Sequence, residues 1–385
     1  MKSILYLSFY DVITTKEKRK YAISAKNKSD YLIASMEKNG IEVDFISASG
    51  VSGNHFVKGR TETIGKSSKL TLFPSIGDGN IVFRIIDRNL IKLRILFRLL
   101  KTNKNEPIIV YHSLSYMNVV RLAHKIRKFR LILEVEEIYS DVIGKKSKRN
   151  REINFLEEGD SYIFPTSLLN NLVNIYHKPY VIVHGSYRVE NIRDSIFKEK
   201  SNDKSNIIHC VYSGTFDPRK GCLEAVKSAV FLPSNYHIHI IGFGNQRDIE
   251  VLQKTISSVN NKCDAVVTYD GLKSGEEYIR FIQSCEIGLC TQDPNADYNQ
   301  SSFPSKILSY LSNGLRVVSI RIPAIVNSKI GNLIFFYNTQ SPETIANTIT
   351  SIDLKKYYDS RSYIEKLNAE FIDDICQLIN QRNEV

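Results

Sequence analysis

Apolar and polar positions follow two repeating patterns in the first half of the chain. Short apolar runs bounded by polar residues are typical of buried strands, and apolar residues spaced three and four apart predict helices. The runs predict strands at Ser3–Ser8, Ile41–Ile46, Ile108–Tyr111, Leu131–Val135, Asp160–Phe164 and Val181–Val183. Helices are expected at Ala22–Lys38 and Tyr116–Arg127, and the polar residues 48–80 predict a long loop.

The same alternation restarts after a polar segment, residues 188–206, which we interpret as a linker. Strands are expected at Ile207–Ser213, His237–Ile241, Ala265–Tyr269, Ile287–Cys290 and Leu333–Phe336, and helices at Cys222–Phe231, Asp248–Val259, Gly275–Gln283 and Pro342–Ser351. Two such arrays predict an α/β fold with two doubly wound parallel-sheet domains, residues 1–190 and 206–353. Residues 354–385 are predicted to be helical and to pack back toward the first domain. Because ligands of these sheets bind at the carboxyl ends of strands, we expect a cleft between the domains.

Residues 299–319 form a segment whose pattern changes from polar loop to amphipathic helix to buried strand. Pro304 suits a first helical turn, and Gly314 suits the end of the helix. The predicted start of the helix carries hydroxyl and ammonium groups, on Ser301, Ser302, Ser305 and Lys306, with the two leading serines as candidate caps. Free backbone N–H groups beside these side chains make an anion site suited to phosphate, and the alternative is an ordinary α/β crossover.

Charge is unevenly distributed between the two halves of the 385 residues. Residues 1–190 contain 31 Lys and Arg against 19 Asp and Glu, and the remainder contains 21 against 22. A basic half indicates an anionic partner, such as a membrane surface, a nucleic acid or an anionic substrate. The six cysteines have no metal or redox spacing, and we find no apolar run long enough to span a bilayer and no signal peptide. We therefore expect a cytoplasmic protein.

Four segments of the second half together resemble a known enzyme class. They are Val211–Gly221 (VYSGTFDPRKG), His239–Gly244 (HIIGFG), Tyr269–Gly271 followed by two glutamates, and Phe303–Ser319. In this order they resemble the donor domain of GT-B glycosyltransferases, the two-Rossmann-domain enzymes, of the large family 4 that builds bacterial surface polysaccharides such as capsule and O-antigen. Asp160–Ser167 and Val183–Tyr187 resemble the segments that close the acceptor domain.

The resemblance implies a nucleotide-sugar donor, a UDP- or GDP-sugar, with no cofactor and no metal. In the family an Arg/Lys-Lys-Gly sequence contacts the diphosphate, which corresponds here to Arg219 and Lys220. The implied donor-binding residues are Gly214, Thr215, Arg219, Lys220, Gly242, Gly244, Tyr269, Gly271, Ser301, Ser302, Ser305, Lys306 and Ser309. Permanent cations and oriented donors stabilise the charge that develops on a leaving diphosphate.

One difference from the family pattern concerns the donor helix. Family members usually carry two glutamates eight residues apart, and the matching positions here are Ser301 and Ser309. A serine hydrogen-bonds but does not offset positive charge on an oxocarbenium-like sugar. The stereochemical outcome is therefore open, and a catalytically inactive GT-B module that binds sugar nucleotide or scaffolds a partner enzyme is the alternative.

Candidate acid–base residues follow the predicted strand Leu131–Val135. Glu136 and Glu137 occupy the positions where the family often has a His-Asp pair, and Asp141 follows them. A carboxylate at the cleft is suited to remove a proton from an acceptor hydroxyl, and adjacent carboxylates raise each other's pKa. His112, after Ile108–Tyr111, is more typical of a structural histidine.

A series of cations in residues 84–101 is interleaved with apolar residues at roughly helical spacing. It predicts either a solvated helix face or a contact with anionic lipid headgroups, to which the basic residues 145–151 would add. Family members reach lipid-linked glycan acceptors at the inner face of the cytoplasmic membrane, which favours a peripheral association there. The chain lacks the aromatic and basic pattern of nucleic-acid-binding folds, so no nucleic-acid partner is expected. A nucleotide-sugar epimerase has a similar layout, but its catalytic acid and histidine arrangement is not evident.

Overall fold

The computed structural model describes residues 2–12, 16–144, 146–191, 206–296 and 302–381. The chain divides into two compact units, Met1–Ser186 with Ala369–Val385, and Tyr187–Asn368. Each unit is built on its own sheet flanked by helices, so the predicted α/β class with two parallel-sheet domains is confirmed. Among the described residues, no helix combines the length and the apolar character needed to cross a bilayer.

The sheet of the first unit has eight strands in the order β3-β4-β2-β1-β5-β6-β7-β8. They are β1 (Lys2–Ser8), β2 (Ile41–Ser47), β3 (Arg60–Ile64), β4 (Ser68–Leu72), β5 (Pro107–Tyr111), β6 (Arg130–Glu134), β7 (Ser161–Phe164) and β8 (Tyr180–Ile182). The helices are α1 (Ile23–Lys38), α2 (Ile81–Leu99), α3 (Met117–Arg127), α4 (Tyr139–Val142), α5 (Arg149–Leu156) and α6 (Ser167–Val173), with a 3₁₀ turn at Lys146–Lys148. The central strands β5 and β6 are apolar and almost wholly buried, as expected of strands covered on both faces.

Residues 48–80 were predicted to be a long loop or an excursion at the mouth of a cleft, and the prediction of a loop without strands was wrong. They contain β3 and β4, which pair antiparallel from Arg60 opposite Leu72 to Ile64 opposite Ser68. Leu70 and Leu72 are buried while the alternate positions are partly exposed, which is the pattern of an edge hairpin. The polar and β-branched residues of this hairpin gave little apolar periodicity, so the sequence pattern did not reveal it.

The sheet of the second unit has six parallel strands in the order β11-β10-β9-β12-β13-β14. They are β9 (Ile208–Thr215), β10 (Tyr236–Phe243), β11 (Val266–Tyr269), β12 (Ile287–Cys290), β13 (Arg316–Ile320) and β14 (Ile334–Tyr337). The helices are α7 (Cys222–Ser228), α8 (Gln246–Asn260), α9 (Gly275–Gln283), α10 (Ser305–Ser312), α11 (Pro323–Val326) and α12 (Pro342–Thr350), with 3₁₀ turns at Pro218–Lys220, Ala229–Phe231 and Gly331–Leu333. Most of the predicted linker lies outside the described residues.

The last helix, α13 (Ser360–Asn380), starts six residues later than the predicted helical stretch, after the turns at residues 354–359. Within the first unit, its C-terminal part packs Phe371 on Tyr31, with ring centroids 5.4 Å apart. The Arg130 guanidinium donates to the carbonyl groups of Leu378 (3.1 Å) and Ile379 (2.6 Å). These contacts satisfy carbonyl groups of the last helical turn, which have no partner within the helix.

Strand order reverses once in each sheet. In the first unit β1 lies between β2 and β5, and in the second unit β9 lies between β10 and β12. At such a reversal the loops leaving the two neighbouring strands separate to opposite faces and leave a crevice at the carboxyl ends of the strands, where ligands bind in doubly wound folds. Each unit therefore has one position at which a ligand site is expected.

Candidate functional site

The loop that follows β9 forms a tightly folded turn at the strand reversal of the second unit. The hydroxyl of Tyr212 donates to the carbonyl groups of Thr215 (3.0 Å) and Lys220 (3.1 Å), which ties the start of the loop to its end. Asp217 accepts a hydrogen bond from the backbone N–H of Arg219 at 2.9 Å and starts the 3₁₀ turn. The polar sequence Thr-Phe-Asp-Pro-Arg-Lys thus folds back on the strand that it leaves.

Gly221 places the end of this loop directly against the carboxyl end of β12. Its φ is +74°, and a β-carbon there would stand 1.6 Å from the Thr291 carbonyl oxygen. The Thr291 hydroxyl in turn donates to the Gly221 carbonyl at 2.6 Å. Only glycine allows this approach of two backbones, so this residue lets the end of the β9 loop contact the carboxyl end of β12.

Lys306, in the first turn of α10, has its ammonium group at the same place. The nitrogen lies 3.6 Å from the centre of the Tyr212 ring, and a β-carbon on Gly214 would stand 3.2 Å from it. Within the described part of the chain, this nitrogen is buried and has no hydrogen-bond partner. A buried ammonium with only an aromatic face to interact with is costly, and an anionic ligand would satisfy it.

The charges around Lys306 also favour an anion. Burial lowers the pKa of Lys306 to about 8, the thiols of Cys290 and Cys222 act in the opposite direction, and the ammonium of Lys220 lowers the pKa further. Lys220 is therefore close enough to repel Lys306. Two neighbouring cations beside a glycine turn form an electrostatic arrangement that a diphosphate would stabilise.

Arg219, the other predicted cation, is oriented differently. Its side chain is 58% exposed and forms an ion pair with Asp217 at 2.6 Å. This guanidinium lowers the pKa of the Asp217 carboxyl below its usual value. To contact a diphosphate, Arg219 would have to share or leave its carboxylate partner, whereas the Lys306 ammonium has no hydrogen-bond partner among the described residues.

A second glycine turn lies beside the first, at the end of β10. Gly242 pairs with Gly214 across the strands, and its N–H donates to the Gly271 carbonyl at 3.0 Å. The hydroxyl of Tyr269 donates to the Gly242 carbonyl at 3.3 Å. An open cavity of about 660 Å³ lies at these strand ends and is lined by Thr215, Phe216, Asp217, Pro218, Phe243, Gly244, Asn245 and Asp248. The structure thus brings six predicted donor residues together, namely Gly214, Thr215, Gly242, Gly244, Tyr269 and Gly271.

The predicted caps of the donor helix were wrong in detail. α10 begins at Ser305, which is exposed, and Pro304 is its N-cap with extended backbone angles. Ser302 therefore precedes the cap, and Ser301 lies outside the described residues. Proline disfavours helical angles for the residue before it but also begins helices, so the sequence left the first helical residue uncertain by a turn.

Ser309, the second position at which the resemblance to family 4 led us to expect a glutamate, is part of a short chain of hydroxyl groups. Its hydroxyl lies 2.9 Å from the Tyr278 hydroxyl, which also accepts a hydrogen bond from Ser213 at 3.2 Å. Tyr310 on the same helix accepts from the Ser213 backbone N–H at 2.8 Å. Ser309 thus lies in a hydrogen-bonded network of hydroxyl groups.

The predicted acid–base residues lie at the carboxyl end of β6 in the first unit. Glu136 forms an ion pair with Lys28 of α1, and Glu137 beside it is half-buried. Asp141 is on α4 and pairs with Arg149 at 3.0 Å, on the surface. Of the three, the two glutamates lie at the strand end, whereas Asp141 lies on α4 and pairs with Arg149 of α5.

Sequence reasoning missed a third carboxyl group, Glu134. It ends the buried strand β6, is wholly inaccessible to solvent and accepts a hydrogen bond from the Tyr6 hydroxyl. Burial raises the pKa of Glu134 to about 7, Lys28 lowers it, and Glu136 raises it. Its other carboxyl oxygen has no hydrogen-bond partner among the described residues. The signal in the sequence was a glutamate inside the otherwise apolar run Leu131–Val135.

A cavity of about 360 Å³ opens near these residues, at the strand reversal of the first unit. It is lined by Phe9, Ala22, Ala25, Tyr111, Ser113, Leu114, Ser115, Tyr139 and Ile143. The hydroxyls of Tyr111 and Tyr139 lie 2.5 Å apart at its wall. His112 is buried behind them, 3.2 Å from Glu152, and burial lowers its pKa to about 4. This neutral imidazole fits the structural role that the sequence suggested.

Comparison with known proteins gives a fold and not a family. No family model matches the chain, and no curated protein matches it. Solved structures match over the whole length. A UDP-forming α,α-trehalose-phosphate synthase from Burkholderia xenovorans has a TM-score of 0.69 at 10% identity, covering 100% of both chains. A sucrose-phosphate synthase from Thermosynechococcus elongatus has a TM-score of 0.69 at 13% identity, covering 98% of both. Anabaena HepE in complex with UDP and glucose has a TM-score of 0.62 at 13% identity, covering 99% of this chain and 98% of that one. The chain therefore shares the two-domain fold of these proteins, the GT-B fold.

Proposed function

We propose that this protein is a glycosyltransferase that uses a nucleotide-sugar donor. The observation that carries the proposal is the buried Lys306 ammonium beside Gly214, which has no hydrogen-bond partner among the described residues and lies at the strand reversal where a diphosphate is expected. Support for the donor class comes from structural neighbours that share the fold, one of which is in complex with UDP and glucose.

In this proposal Lys306 and Lys220 bind the diphosphate and stabilise it as a leaving group. The carbon–oxygen bond between the sugar and the phosphate breaks, and these two cations stabilise the negative charge that grows on the departing oxygen. The glycine turns at Gly214 and Gly242 let the backbone approach the phosphates closely. The loop of Tyr269 and Gly271 beside them contacts the nucleoside, and Arg219 contributes once it separates from Asp217.

The first unit binds the acceptor in this proposal. A sugar hydroxyl must lose a proton as it attacks, and the carboxylates at the end of β6 are the candidates to accept it, with Glu136 and Glu137 nearest to solvent. Glu134 adds a buried group whose pKa of about 7 suits proton transfer near neutral pH. The cavity beside Tyr111 and Tyr139 would hold the acceptor sugar or the apolar group that carries it.

A lipid-linked glycan acceptor of surface polysaccharide synthesis, as in family 4, is the more specific part of the proposal. Its support is α2, whose first two turns expose Ile81, Val82, Phe83, Ile85 and Ile86 with Arg84 and Arg88 between them. Exposed apolar residues interleaved with cations are the features of a helix that lies in the interface of an anionic membrane. This favours a peripheral association with the cytoplasmic membrane.

The test is donor turnover by the purified full-length chain. UDP- and GDP-sugars are screened for release of nucleoside diphosphate, with and without a lipid-linked acceptor, in the wild type and in Lys306→Met and Lys220→Ala. Each of these two variants is expected to lower turnover by at least about a hundredfold, in line with the loss of one preorganised electrostatic contact. Lys254→Ala, an exposed lysine on α8 of the same unit, is the matched control and should keep full activity.

A catalytically inactive module is the second candidate. The observation that favours it is the neutral network around Ser309, where the family has a carboxylate. An inactive module would bind nucleoside diphosphate through Lys306 but release none from any donor. Calorimetric binding without turnover over the whole screen would favour this candidate over the enzyme.

A further inference from the structure

Three histidines of the second unit lie together on one face of the sheet, apart from the diphosphate residues. His237 and His239 are two apart on β10, so the alternation of a strand directs both side chains to the same face. His209 on β9 is the register partner of His237. The spacing of histidines along the sequence gave no sign of a cluster, because β9 and β10 are joined through a helix and meet only in the sheet.

The three imidazoles approach each other at ligand distances. One nitrogen from each ring can be chosen so that all three lie within 4.8 Å of one another. The closest pair, His209 Nδ1 and His239 Nε2, is 2.9 Å apart. Three nitrogens bound tetrahedrally at about 2.0–2.1 Å from one metal ion are separated by about 3.4 Å, so the rings would have to turn to bring this set into place.

A carboxylate orients one of the rings from behind. His239 Nδ1 donates to Asp270 at 3.1 Å, so His239 Nε2 carries the lone pair and accepts a hydrogen bond from His209 Nδ1 at 2.9 Å, which a bound metal ion would replace. The Thr268 hydroxyl donates to the same carboxylate at 2.8 Å and fixes it. Metal-ligating histidines usually donate their second ring nitrogen to a carboxylate in this way, which sets the tautomer and strengthens the ligand.

The surroundings leave room for a fourth ligand. All three histidines are partly exposed rather than buried, and the side chain of His239 is 12% accessible. Phe281 packs edge-on against His239, with centroids 5.3 Å apart, and limits its rotation. Three nitrogen ligands with solvent access match the pattern of zinc sites that complete their coordination with water.

We propose that His209, His237 and His239 form a binding site for a divalent transition metal ion, with Zn²⁺ as the best fit, and that Asp270 positions His239 in it. Neutral imidazole suits Zn²⁺, Ni²⁺ and Cu²⁺, whereas Mg²⁺ and Ca²⁺ prefer oxygen ligands. The site differs from the expectation of a metal-free protein. The metal site need not take part in sugar transfer, because its ligands lie on the face of the sheet and not at the strand ends around Gly214.

The test is Zn²⁺ binding by the full-length chain after treatment with a chelator, measured by competition with a chromophoric zinc indicator. One Zn²⁺ ion per chain is expected in the wild type, with no competition from Mg²⁺. His209→Gln and His239→Gln should each abolish this binding, and Asp270→Asn should weaken it by about 10–100-fold. His55→Gln, an exposed histidine of the first unit, is the matched control and should bind as the wild type does.

The wild type alone supplies a second measurement in case a variant does not fold. Co²⁺ bound at three imidazoles and water should give the intense visible absorption of a tetrahedral complex, and Zn²⁺ should displace it. Absence of Zn²⁺ binding by the wild type, equal binding by the wild type and the three site variants, or a weak octahedral Co²⁺ spectrum would each overturn the proposal.

Discussion

The ammonium nitrogen of Lys306 lies 3.6 Å from the centre of the Tyr212 ring. This contact joins the first turn of α10 to the strand β9, whose carboxyl end carries Gly214. The ring partly compensates the buried charge, and the Tyr212 hydroxyl holds the loop that ends at Gly221. A diphosphate bound in this crevice would contact the Lys306 ammonium, the glycine turn at Gly214 and the loop that ends at Gly221.

The affinity for nucleoside diphosphate should depend on pH through Lys306. Its pKa, lowered by burial to about 8, means that the ammonium form predominates at pH 7 and is lost as the pH rises through about 8. UDP or GDP affinity should therefore fall between about pH 7 and about pH 9, roughly one unit on either side of this pKa. Calorimetry over this range is the measurement. Lys306→Arg, which keeps its charge, should bind with little pH dependence, and an identical decline in both proteins would show that another group titrates.

Gly221→Ala should unfold the second unit much more readily than Gly271→Ala. Both residues have positive φ, +74° and +76°, but a β-carbon on Gly221 would meet the Thr291 carbonyl at 1.6 Å, whereas nothing lies within 4 Å at Gly271. The Gly271 change should cost about 1–2 kcal/mol from backbone strain alone, and the Gly221 change should exceed this by at least about 2 kcal/mol because two backbones must separate. Urea unfolding of both variants gives the difference, and equal losses would contradict the close approach.

Glu134→Gln should change stability in a pH-dependent manner. The pKa of Glu134 is raised from 4.5 to about 7, so the folded chain holds a proton that the unfolded chain releases. The stability that the protonated Glu134 carboxyl gives the folded state is fully present below about pH 4.5 and is lost as the pH rises through about 7. Relative to the wild type, Glu134→Gln should therefore be more stable at pH 8 than at pH 5, by up to about 3 kcal/mol at 1.4 kcal/mol per pKa unit. Urea unfolding at the two pH values measures the difference in unfolding free energy between Glu134→Gln and the wild type. A difference that is the same at both pH values would rule out the raised pKa.

Glu136→Gln or Glu137→Gln should lower turnover by roughly 10² to 10⁴ while donor affinity stays nearly unchanged. The reason is that a general base acts only as the acceptor proton leaves. Steady-state transfer with calorimetry of donor binding separates the two effects. Asp141→Asn is the matched control, because that carboxylate is paired with Arg149 away from the strand end. Full activity in both glutamate variants would favour a retaining mechanism in which the departing phosphate accepts the proton.

Replacing apolar residues at the start of α2 should release the protein from anionic vesicles. Ile85 and Ile86 are 46% and 42% exposed, and Arg84 and Arg88 are exposed beside them. The double variant Ile85→Ser, Ile86→Ser should lose the apolar part of binding, and Arg84→Glu, Arg88→Glu should lose the part that salt screens. Sedimentation with vesicles of anionic lipid at low and high salt measures both.

The cations at the C-terminal end of α2 have partners within the fold, so the control variant is taken from beyond the helix. Arg98 is paired with Asp44, and Arg94 donates to the Pro74 carbonyl at 2.7 Å, so these two cations serve the fold and not a surface. Lys104→Glu, an exposed cation beyond the helix, should leave vesicle binding intact. If neither the apolar nor the charge variants change sedimentation with the vesicles, the exposed side of α2 is a solvated helix face.

The sequence by itself determined the architecture, because local patterns encode it. The apolar runs placed the parallel strands to within one or two residues, and the glycines at 214, 221 and 242 marked the turns where backbones approach. These features depend on the residue and its immediate neighbours. The antiparallel hairpin of β3 and β4 was missed because local patterns were the only signal, and its residues show little apolar alternation.

Only the tertiary structure decided which side chains carry the chemistry. Lys306 became a buried cation without a hydrogen-bond partner among the described residues because α10 is packed against Tyr212, and Glu134 gained its raised pKa because the neighbouring strands exclude water from it. His209 met His237 and His239 because β9 and β10 pair in register. Burial and charge proximity depend on strand order and packing between distant segments, and the spacing of residues along a chain does not contain that information.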